Sequence, residues 1–526
     1  MNIHIKKSSL VLFVITFLSI SNVTNAQFYP HDDNIDYKED YRPQFHFSPK
    51  SEWMNDINAL IYQDGTYHML YQWGKKVRHG GYATSTDLIH WEDKGVALIP
   101  ENSHIKHLGA KTNVSGGGVF SGSGVFVEGE VAEKITGSSK PALVTHYTGT
   151  RVGTCIAWSN DGGATWHNYK NNPVAHPTDG TVPRDPCVIW YEPTKSWILG
   201  IFTTPANKAE KKEKAGTIFY GSKDLINWDK LSFINFGHEC PDLVELPLDG
   251  DTNNMKWVLS DAAGSYLVGQ FDGKKFNPED ETPRRMDVGP DFYGSQTFFP
   301  HNMPEKKVIQ IGWNDRWNGG VAEKWENNVE LISSIKARSN RVWERNATFP
   351  VELGLITYEG KPHVTRTPIA AISKLYTNTT MFADKTLTPG NNILSGIKSK
   401  AFDMTAEFDL NNTTAKTITF TIANKSYTYK IAEQKLVGRM MKKKMKNGEL
   451  IVLSSDTELD LKPDADGKLK IRMLIDWSNI EIFANKGVFS YSEHFALDPK
   501  ANNVEIIVDG DVKLTSLEFN QIKSIW

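Results

Sequence analysis

The chain has 526 residues, a net charge of -3 at pH 7 and 3 cysteines. Its length predicts at least two domains, and the small net charge gives no electrostatic reason to expect a nucleic acid as partner. Three cysteines cannot form a disulfide framework, and they do not combine with histidines at the spacing of a zinc site. We therefore expect no metal and no cofactor.

The N-terminus has the pattern of a secretory signal. Lys6 and Lys7 precede an apolar stretch at residues 10–20, and the small-residue segment 24–26 fits a cleavage site before Gln27. The apolar stretch is shorter than the roughly 20 residues of a membrane span. The sequence thus predicts a signal peptide at residues 1–26, no membrane span after its removal, and a secreted or periplasmic protein.

From Asp56 to Pro350 the sequence alternates in short strands that turn residues interrupt. One turn sequence recurs along this part of the chain. Residues 85–91 are similar to residues 222–228, and residues 159–166 repeat the same turn with one residue inserted. Residues 271–276 are a weaker fourth copy. Each turn closes about four strands, which is typical of propeller blades. We predict a five-bladed β-propeller domain over residues 40–350, with blades at 56–95, 117–170, 185–232, 239–278 and 293–345.

After about Lys361 the turn repeat stops while alternating strands continue, for example at residues 417–422 and 470–475. This pattern indicates a two-sheet antiparallel sandwich. We place the join at 350–370 and the sandwich at 365–526. The predicted fold is all-β, a five-bladed β-propeller followed by a C-terminal β-sandwich.

Three acids stand where a blade's first strand is predicted to begin, namely Asp56, Asp185 and Glu239. The first strands of a propeller line its channel, so these acids are expected at one mouth. A retaining glycosidase needs an ionised carboxylate and a protonated carboxyl group about 5 to 5.5 Å apart, and crowding of like charges raises the pKa of the acid. Any one of the acids could be a structural cap, but their recurrence favours a site for sugar chemistry.

Other recurrent or nearby residues have simpler interpretations. Asp87, Asp161 and Asp224 recur at hairpin turns, where an Asp side chain holds the backbone. Cys187 and Cys240 flank the proposed site, but no paired histidine is evident that would activate a thiol. We expect the two cysteines to be buried and inert.

These segments resemble the motifs of glycoside hydrolase family 32, the invertases, levanases and inulinases, over nearly the whole mature chain. Residues 53–59, Trp-Met-Asn-Asp-Ile-Asn-Ala, are similar to that family's Trp-Met-Asn-Asp-Pro-Asn-Gly. Residues 71–72, 120–123, 184–186 and 239–241 match its later motifs in order. Residues 475–483 resemble a signature of its sandwich domain.

The resemblance implies roles for the three acids. Asp56 would be the nucleophile that attacks the anomeric carbon of a β-fructofuranosyl unit, and Glu239 the acid that protonates the leaving oxygen and then activates water. Asp185 would hold the fructose hydroxyls and stabilise the transition state, with Arg184 as its ionic partner. The substrate-binding set is Asn55, Gln72, Trp73, Phe120, Ser121, Arg184 and Trp313. Trp73 and Trp313 are candidates for an apolar wall, with core packing as the alternative.

The sequence also departs from the family's pattern. Ile57 and Ala59 replace the usual Pro and Gly, and residues 78–82, Arg-His-Gly-Gly-Tyr, replace a common Trp-Gly-His stretch. No clear Pro-Arg motif follows Trp313, which makes the fifth blade the hardest to place. These departures bear on linkage preference more than on the reaction.

We conclude from the sequence that this is a secreted hydrolase of β-fructofuranosidic bonds in fructans, levan or inulin, acting by double displacement with retention. Sucrose remains open as a substrate. The alternatives are a fructosyltransferase on the same scaffold and a non-catalytic fructan-binding protein. The sequence leaves the oligomeric state open.

Overall fold

The structure is a computed structural model that describes residues 35–175, 181–205, 215–314, 342–446, 449–495 and 500–526. The segment predicted to be a signal peptide, residues 1–26, lies outside the described residues. Strands dominate the described part, which confirms the predicted all-β class, and its one α-helix, α1, is Gly129–Thr136. Short 3-10 turns lie at His104–Leu108, Glu192–Thr194, Pro300–Asn302, Pro304–Lys306, Ala370–Leu375 and Asn485–Gly487.

The N-terminal half contains four groups of four antiparallel strands. The first group is β1 (Glu52–Gln63), β2 (Thr66–Trp73), β3 (His79–Ser85) and β4 (Trp91–Leu98). The second is β5 (Val119–Val127), β6 (Ala142–Gly149), β7 (Gly153–Ser159) and β8 (His167–Asn168). The third is β9 (Thr181–Tyr191), β10 (Ser196–Pro205), β11 (Gly216–Ser222) and β12 (Asp229–Ile234). The fourth is β13 (Asp242–Leu248), β14 (Asp251–Ser260), β15 (Ser265–Phe271) and β16 (Phe276–Pro278).

A fifth group of strands joins the fourth in one sheet. Its members, with the short strands beside it, are β17 (Arg284–Arg285), β18 (Tyr293–Thr297), β19 (Ile309–Asn314), β20 (Trp343–Glu344), β21 (Asn346–Ala347), β22 (Val351–Tyr358) and β23 (Lys361–Pro368). β19 pairs with β18, β21 and β22, β22 pairs with β13, and β20 runs parallel to β1. Because residues 315–341 lie outside the described part, the count of five complete blades stays a prediction.

The first strands of the groups contact one another in cyclic order. β1 lies against β5, β5 against β9, β9 against β13, β13 against β18, and β18 again against β1. This closed ring of inner strands is the arrangement of a β-propeller, which removes the long open sheet edges of a flat sheet. The strand that begins each group therefore lines the central channel.

The recurrent turn aspartates hold the backbone as predicted. Asp87 Oδ1 accepts the N–H groups of Ile89 and His90 at 3.0 and 2.9 Å, and Asp224 does the same at the matching turn of β11. Asp161 accepts the N–H of its turn at 2.9 Å. The structural interpretation of these three acids is confirmed.

The C-terminal part consists of two packed sheets. The strands are β24 (Tyr376–Leu387), β25 (Phe402–Asp409), β26 (Thr417–Ile422), β27 (Lys425–Lys430), β28 (Lys435–Lys446), β29 (Glu449–Asp460), β30 (Lys468–Ile475), β31 (Asn479–Ala484), β32 (Phe489–His494), β33 (Val504–Val508) and β34 (Val512–Ile522). One sheet has the order β24-β34-β25-β30-β31-β32 and the other β29-β28-β27-β26-β33. Alternate residues of β26, Ile418, Phe420 and Ile422, are buried between them. The predicted sandwich is thus present, while the exact domain limits stay predictions.

A buried ionic cluster joins the start of the described chain to the sandwich. Asp476 accepts the N–H groups of Gln44, Phe45 and His46, and its Oδ2 lies 2.9 Å from His46 Nδ1. The other ring nitrogen of His46 is 3.7 Å from Glu481. Since all of these side chains are buried, the charges stabilise one another away from water.

A second buried cluster joins the two domains at β23 and β32. Arg366 forms an ion pair with Asp287 and donates to Ser490 Oγ at 2.6 Å. Ser492 donates its hydroxyl to Asp287 at 2.7 Å. The sandwich is thus held to the propeller at two places, through Asp476 and Glu481 in the first cluster and through Ser490 and Ser492 in the second.

We predict that the first cluster gives the protein a pH-dependent stability. Burial alone would lower the pKa of His46, but its hydrogen bond to Asp476 and the negative charges of Asp476 and Glu481 raise it to about 9. Because this pKa exceeds the value of about 6.5 in an unfolded chain, the contribution is complete below about pH 6.5 and is lost as the pH rises through about 9. The urea unfolding midpoint of the wild-type protein should therefore fall over this interval.

The matched variant is His46→Gln, which can still donate a hydrogen bond but cannot titrate. Its unfolding midpoint should be lower than that of the wild type at pH 6 and should change less between pH 6 and 9.5. Parallel pH dependences for the two proteins would contradict the prediction.

Candidate active site

Bulges in the inner strands bring the site residues to one mouth of the ring. In four of the five first strands one extra residue interrupts the pairing with the second strand. The residues at these interruptions are Asp56, Ser121, Asp185 and Gly294. A β-bulge turns side chains away from the regular alternation and is common beside active sites. Glu239, from the remaining blade, lies three residues before β13.

The structure brings the three predicted acids together. Arg184 Nε lies 3.1 Å from Glu239 Oε1 and 3.6 Å from Asp185 Oδ2, so one guanidinium links two of the carboxylates. Cys240 links the other pair, because its N–H donates to Asp185 at 3.3 Å and its Sγ lies 3.7 Å from Asp56 Oδ2. Asp56 and Asp185 are buried, whereas the Glu239 side chain is 32% exposed. Glu239 is thus the acid with the freest access to an incoming molecule.

Asp56 is held by donors from several blades. Trp313 Nε1 donates to its Oδ1 at 2.7 Å and Asn55 Nδ2 at 3.0 Å. Gln72 Nε2 donates to its Oδ2 at 3.2 Å, and the Ser121 hydroxyl donates to the same oxygen. The carboxylate is therefore fixed in one orientation, which a group that attacks a single carbon atom requires.

Burial and crowding raise the pKa values of the two inner acids. Burial, together with the charges of Asp56 and Glu239, raises the pKa of Asp185 to about 8, although Arg184 opposes the shift. Burial also raises the pKa of Asp56, against the hydrogen bond from Ser121 and with a further contribution from Glu239. Such displaced pKa values are characteristic of sites where protons are exchanged or charges stabilised.

The backbone is strained at the acids themselves. Asp185 has a φ of 59°, Glu239 of 65° and Cys240 of 40°. Residues with a side chain rarely adopt this left-handed region, and such outliers concentrate at functional sites. The strain is an independent indication, besides the charges, that these positions serve a function.

Glu239 has a partner that the sequence did not identify. The Tyr293 hydroxyl donates to Glu239 Oε2 at 2.6 Å, and His238 Nδ1 lies 3.1 Å from that hydroxyl. Tyr293 is the first residue of the predicted fifth blade, 293–345, but its bond to an acid had no sequence signal. The hydroxyl orients the carboxyl group of Glu239 from one side, and Arg184 does so from the other.

Arg345 is the second residue that sequence analysis missed. Its guanidinium donates to Asn55 Oδ1 and lies 4.4 Å from the ring centre of Trp313 and 4.7 Å from that of Trp53. It is 8% exposed. Arg345 thus supplies a positive charge that acts on Asp56. It lies in the predicted fifth blade, where the family's Pro-Arg motif was not found directly after Trp313.

The predicted aromatic contacts separate into two kinds. Trp313 touches Asp56 directly, and Phe120 stands 36% exposed beside Ser121. Trp73 is 4% exposed within the main core, and its indole donates to the Ser51 carbonyl at 3.0 Å. This position favours the core-packing alternative for Trp73, and its contact with a substrate stays a prediction.

The departures from the family pattern have visible structural counterparts. Ile57 is fully buried in the core, and Ala59 has a φ of 40°, a conformation that suits the Gly usual at this position better. In the segment 78–82, Arg78 lies 4.0 Å from the Trp53 ring centre and His79 is buried. This segment therefore supplies a cation against an aromatic ring in place of an aromatic wall.

The cysteines are buried thiols, as expected. Cys155, Cys187 and Cys240 are free and buried. Burial raises the pKa of Cys187 and of Cys240 well above the usual value for a thiol, with the charges of Asp185 and Asp56 adding to the rise at Cys240. Neither thiol is in the thiolate form that a nucleophile needs.

Metal-binding clusters and membrane-spanning helices are both absent from the described ranges. None of their His, Cys, Asp and Glu side chains form a group of three or more that could hold a metal ion. None of their helices combines the length and hydropathy needed to cross a membrane.

Two family profiles match the chain. "Glycosyl hydrolases family 32 N-terminal domain" matches residues 46–345, and "Glycosyl hydrolases family 32 C terminal" matches residues 371–521. Together they contain the three acids and the whole β31 segment.

Individual relatives agree with the profiles. Levanase of Bacillus subtilis (strain 168) is 30% identical over 535 residues, which cover 94% of this chain and 72% of levanase. Fructan beta-fructosidase of Streptococcus mutans is 26% identical over 94% of this chain and 34% of its own length. Among solved structures, exo-inulinase from Aspergillus awamori superposes with a TM-score of 0.73 over 93% of this chain and all of its own, at 24% identity, which supports the propeller-and-sandwich fold.

We predict that the buried carboxyl group of Asp185 lowers stability at neutral pH. Its pKa is about 8 in the folded protein, against a usual value of 3.8. Between these values the folded state retains a proton that the unfolded state releases, so stability falls as the pH rises through this interval. Asp185→Asn removes the titration and should have a higher thermal midpoint than the wild type at pH 8.

At pH 4 the difference between the two thermal midpoints should be much smaller, because this pH lies close to the usual pKa of 3.8 and the destabilisation accumulates only as the pH rises above that value. A difference that stays constant from pH 4 to pH 8 would contradict the prediction.

Proposed function

We propose that this chain, which belongs to family 32 of the glycosyl hydrolases and hydrolyses fructosides, is a secreted enzyme that cleaves β-fructofuranosidic linkages in fructans. The observation that carries the proposal is the convergence of Asp56, Asp185 and Glu239 at one end of the propeller channel. Levan and inulin are the candidate polymers, with sucrose as a further candidate substrate. Relatives named for polymer hydrolysis match along 94% of the chain, which favours a fructan.

In the proposed mechanism Asp56 is the nucleophile. Four donors fix its carboxylate, and two of them, Ser121 and Trp313, favour its ionised form against the effect of burial. One oxygen of Asp56 attacks the anomeric carbon of the fructosyl unit while the bond to the leaving oxygen breaks. A covalent fructosyl-enzyme forms, and water later releases fructose with retained configuration.

Glu239 is the proposed acid and base. Its partial exposure allows it to reach the glycosidic oxygen, and Tyr293 and Arg184 hold its two oxygens in place. In the first step it gives its proton to the leaving oxygen. In the second step the carboxylate takes a proton from the attacking water.

Asp185 is proposed to bind the fructosyl ring. It is buried next to both other acids, and its raised pKa allows its carboxyl group to donate as well as accept a hydrogen bond to a sugar hydroxyl. Phe120, which is 36% exposed beside Ser121, and Trp313, which contacts Asp56, are the aromatic side chains proposed to pack against the sugar. Secretion is proposed from the N-terminal signal pattern at residues 1–26.

Substitution of the two proposed catalytic acids is the direct test. Asp56→Ala should abolish the release of fructose from levan and inulin. Glu239→Ala should lower kcat/KM on the polymers by about 10²- to 10⁴-fold, the usual contribution of general acid catalysis. On an aryl β-fructofuranoside, whose leaving group needs no proton, the first step of Glu239→Ala should be affected far less.

Asp224→Asn is the matched control, because it changes an aspartate that holds the turn between β11 and β12, the two strands of the third group that lie outermost from the channel-lining β9, and its activity should equal that of the wild type. Near-normal rates of Glu239→Ala on unactivated fructan would refute the assignment of the acid.

A product analysis separates hydrolysis from transfer. The wild-type enzyme is incubated with sucrose, inulin and levan in turn, and the products are followed over time by chromatography. Free fructose should accumulate from at least one polymer. Longer oligosaccharides at high sucrose would indicate a fructosyltransferase, and no product from any of the three substrates would refute the proposed activity.

A glycine beside the nucleophile provides an independent prediction. A Cβ added at Gly294 would lie 2.6 Å from Asp56 Oδ1 and 2.7 Å from Trp313 Nε1, and its φ is 53°. Gly294→Ala must displace one of these groups, so kcat/KM on fructan should fall by about 10²-fold, the usual cost of misplacing a reacting group by about 1 Å.

The control for this variant is Gly65→Ala. Gly65 has a φ of 87° with no neighbour within 4 Å of an added Cβ, so the substitution has the same backbone cost, roughly 1–2 kcal/mol, without a clash. Its kcat/KM should stay at the wild-type value. Equal activities of the two glycine variants would contradict the geometry described for Asp56.

A further inference from the structure

One amide oxygen of the sandwich accepts hydrogen bonds from two strands of the propeller. Asn479, the first residue of β31, is fully buried. Its Oδ1 accepts from Asn346 Nδ2 at 3.1 Å and from Asn314 Nδ2 at 3.3 Å. Asn314 and Asn346 are cross-strand partners in the pairing of β19 with β21. Asn479 therefore connects the ends of both strands to the second domain.

The residues next to these two asparagines belong to the candidate active site. Trp313 precedes Asn314, and its indole donates to Asp56. Arg345 precedes Asn346, and its guanidinium lies 4.4 Å from the Trp313 ring centre. Arg345 also donates to Asn55, the residue before Asp56. A displacement of either strand would thus move a group that touches the proposed nucleophile or its neighbour.

We propose that Asn479 is a positioning residue for the reaction, which holds Trp313 and Arg345 against the nucleophile from the sandwich domain. The inference rests on the proposed function, because it takes Asp56 as the nucleophile. It adds to that function a role for the second domain in setting the active-site geometry.

The short strand β21 depends on such outside contacts. It contains two residues, Asn346–Ala347, and few ladder hydrogen bonds of its own. The Ala347 N–H donates to the Phe47 carbonyl at 2.8 Å. Phe349, just beyond the strand, donates its N–H to Glu481 Oε1 at 3.0 Å. Since Glu481 also lies on β31, this strand of the sandwich holds the segment at two points.

The positions of Trp313 and Arg345 have an electrostatic effect on Asp56. Burial raises the pKa of Asp56, while the hydrogen bond from Trp313 and the positive charge of Arg345 lower it. Other titratable or charged groups around Asp56 are Glu239, Asp185, Cys240 and Arg78. None of them lies on β19 or β21, so loosening these strands changes the contributions of Trp313 and Arg345 in particular.

The test is the pH profile of kcat/KM for fructose release by the full-length Asn479→Ala variant. The acidic limb reports the ionisation of the free enzyme's nucleophile. It should move to higher pH, because the ionised form of Asp56 loses its two supports. Near pH 5 the variant should lose activity by about 10- to 100-fold, as expected for a misplaced catalytic group, and the loss should be smaller at neutral pH.

Asn346→Ala is the second variant, for use if Asn479→Ala does not fold. It removes one of the two donors from the propeller side and should shift the acidic limb in the same direction.

Tyr427→Phe is the stability control. It removes a hydroxyl of β27 that donates to Glu493 at 2.6 Å, and β27 belongs to the sandwich sheet that does not contain β31. A smaller amount of folded protein lowers the measured activity by the same factor at every pH. The Tyr427→Phe variant should therefore keep the acidic limb of the kcat/KM profile at the wild-type pH, even if its thermal midpoint is lower.

Two failures can be told apart. A wild-type protein without activity on any fructoside would refute the proposed function. An active wild type with unshifted acidic limbs in both Asn479→Ala and Asn346→Ala would refute the positioning role alone.

Discussion

The structure depends on burying acidic side chains close together at one end of a ring of strands. Asp56 and Asp185 are almost inaccessible to solvent and lie near Glu239, although isolated buried carboxylates are strongly unfavourable. The arrangement is possible because Arg184 and Arg345 supply positive charge and because donors from several blades surround Asp56. The bulges of the inner strands make this convergence possible, since they turn one residue of each strand into the channel. Burying these acids lowers the stability of the folded protein, but it gives them the raised pKa values and fixed orientations that are characteristic of catalytic sites.

The sandwich takes part in this arrangement through a short segment at the start of β31. Asp476 accepts hydrogen bonds from the segment before β1. Asn479 accepts from the last residue of β19 and the first residue of β21. Glu481 accepts from the N–H of Phe349, which follows β21. The strand β20 runs parallel to β1, next to the bulge that contains Asp56. The ring is thus closed around the nucleophile by residues that the second domain holds, so the two domains form a single functional unit.

Sequence analysis predicted the fold class and the convergence of the three acids because both follow from repetition. The turn aspartates mark each blade, and the acids recur near the beginning of the inner strand. The partners of the acids could not be predicted in this way. A bulge leaves no pattern in the side chains, and Arg345 reaches Asn55 only because the ring closes. Trp73 and Trp313 show the same limit of sequence analysis, because residue type alone does not separate their roles. Trp73 packs in the core, whereas Trp313 donates a hydrogen bond to Asp56.

The central claim is that Asp56 forms a covalent bond to the fructosyl unit, and trapping that intermediate tests it most directly. Glu239→Gln is mixed with an aryl β-fructofuranoside, so that the first step proceeds while the attack of water lacks its base. The protein is then digested, and mass spectrometry locates the added mass of one fructosyl group. We predict that the label is found on Asp56. A label on Asp185, or turnover of the substrate with an unmodified Asp56 throughout, would contradict the account.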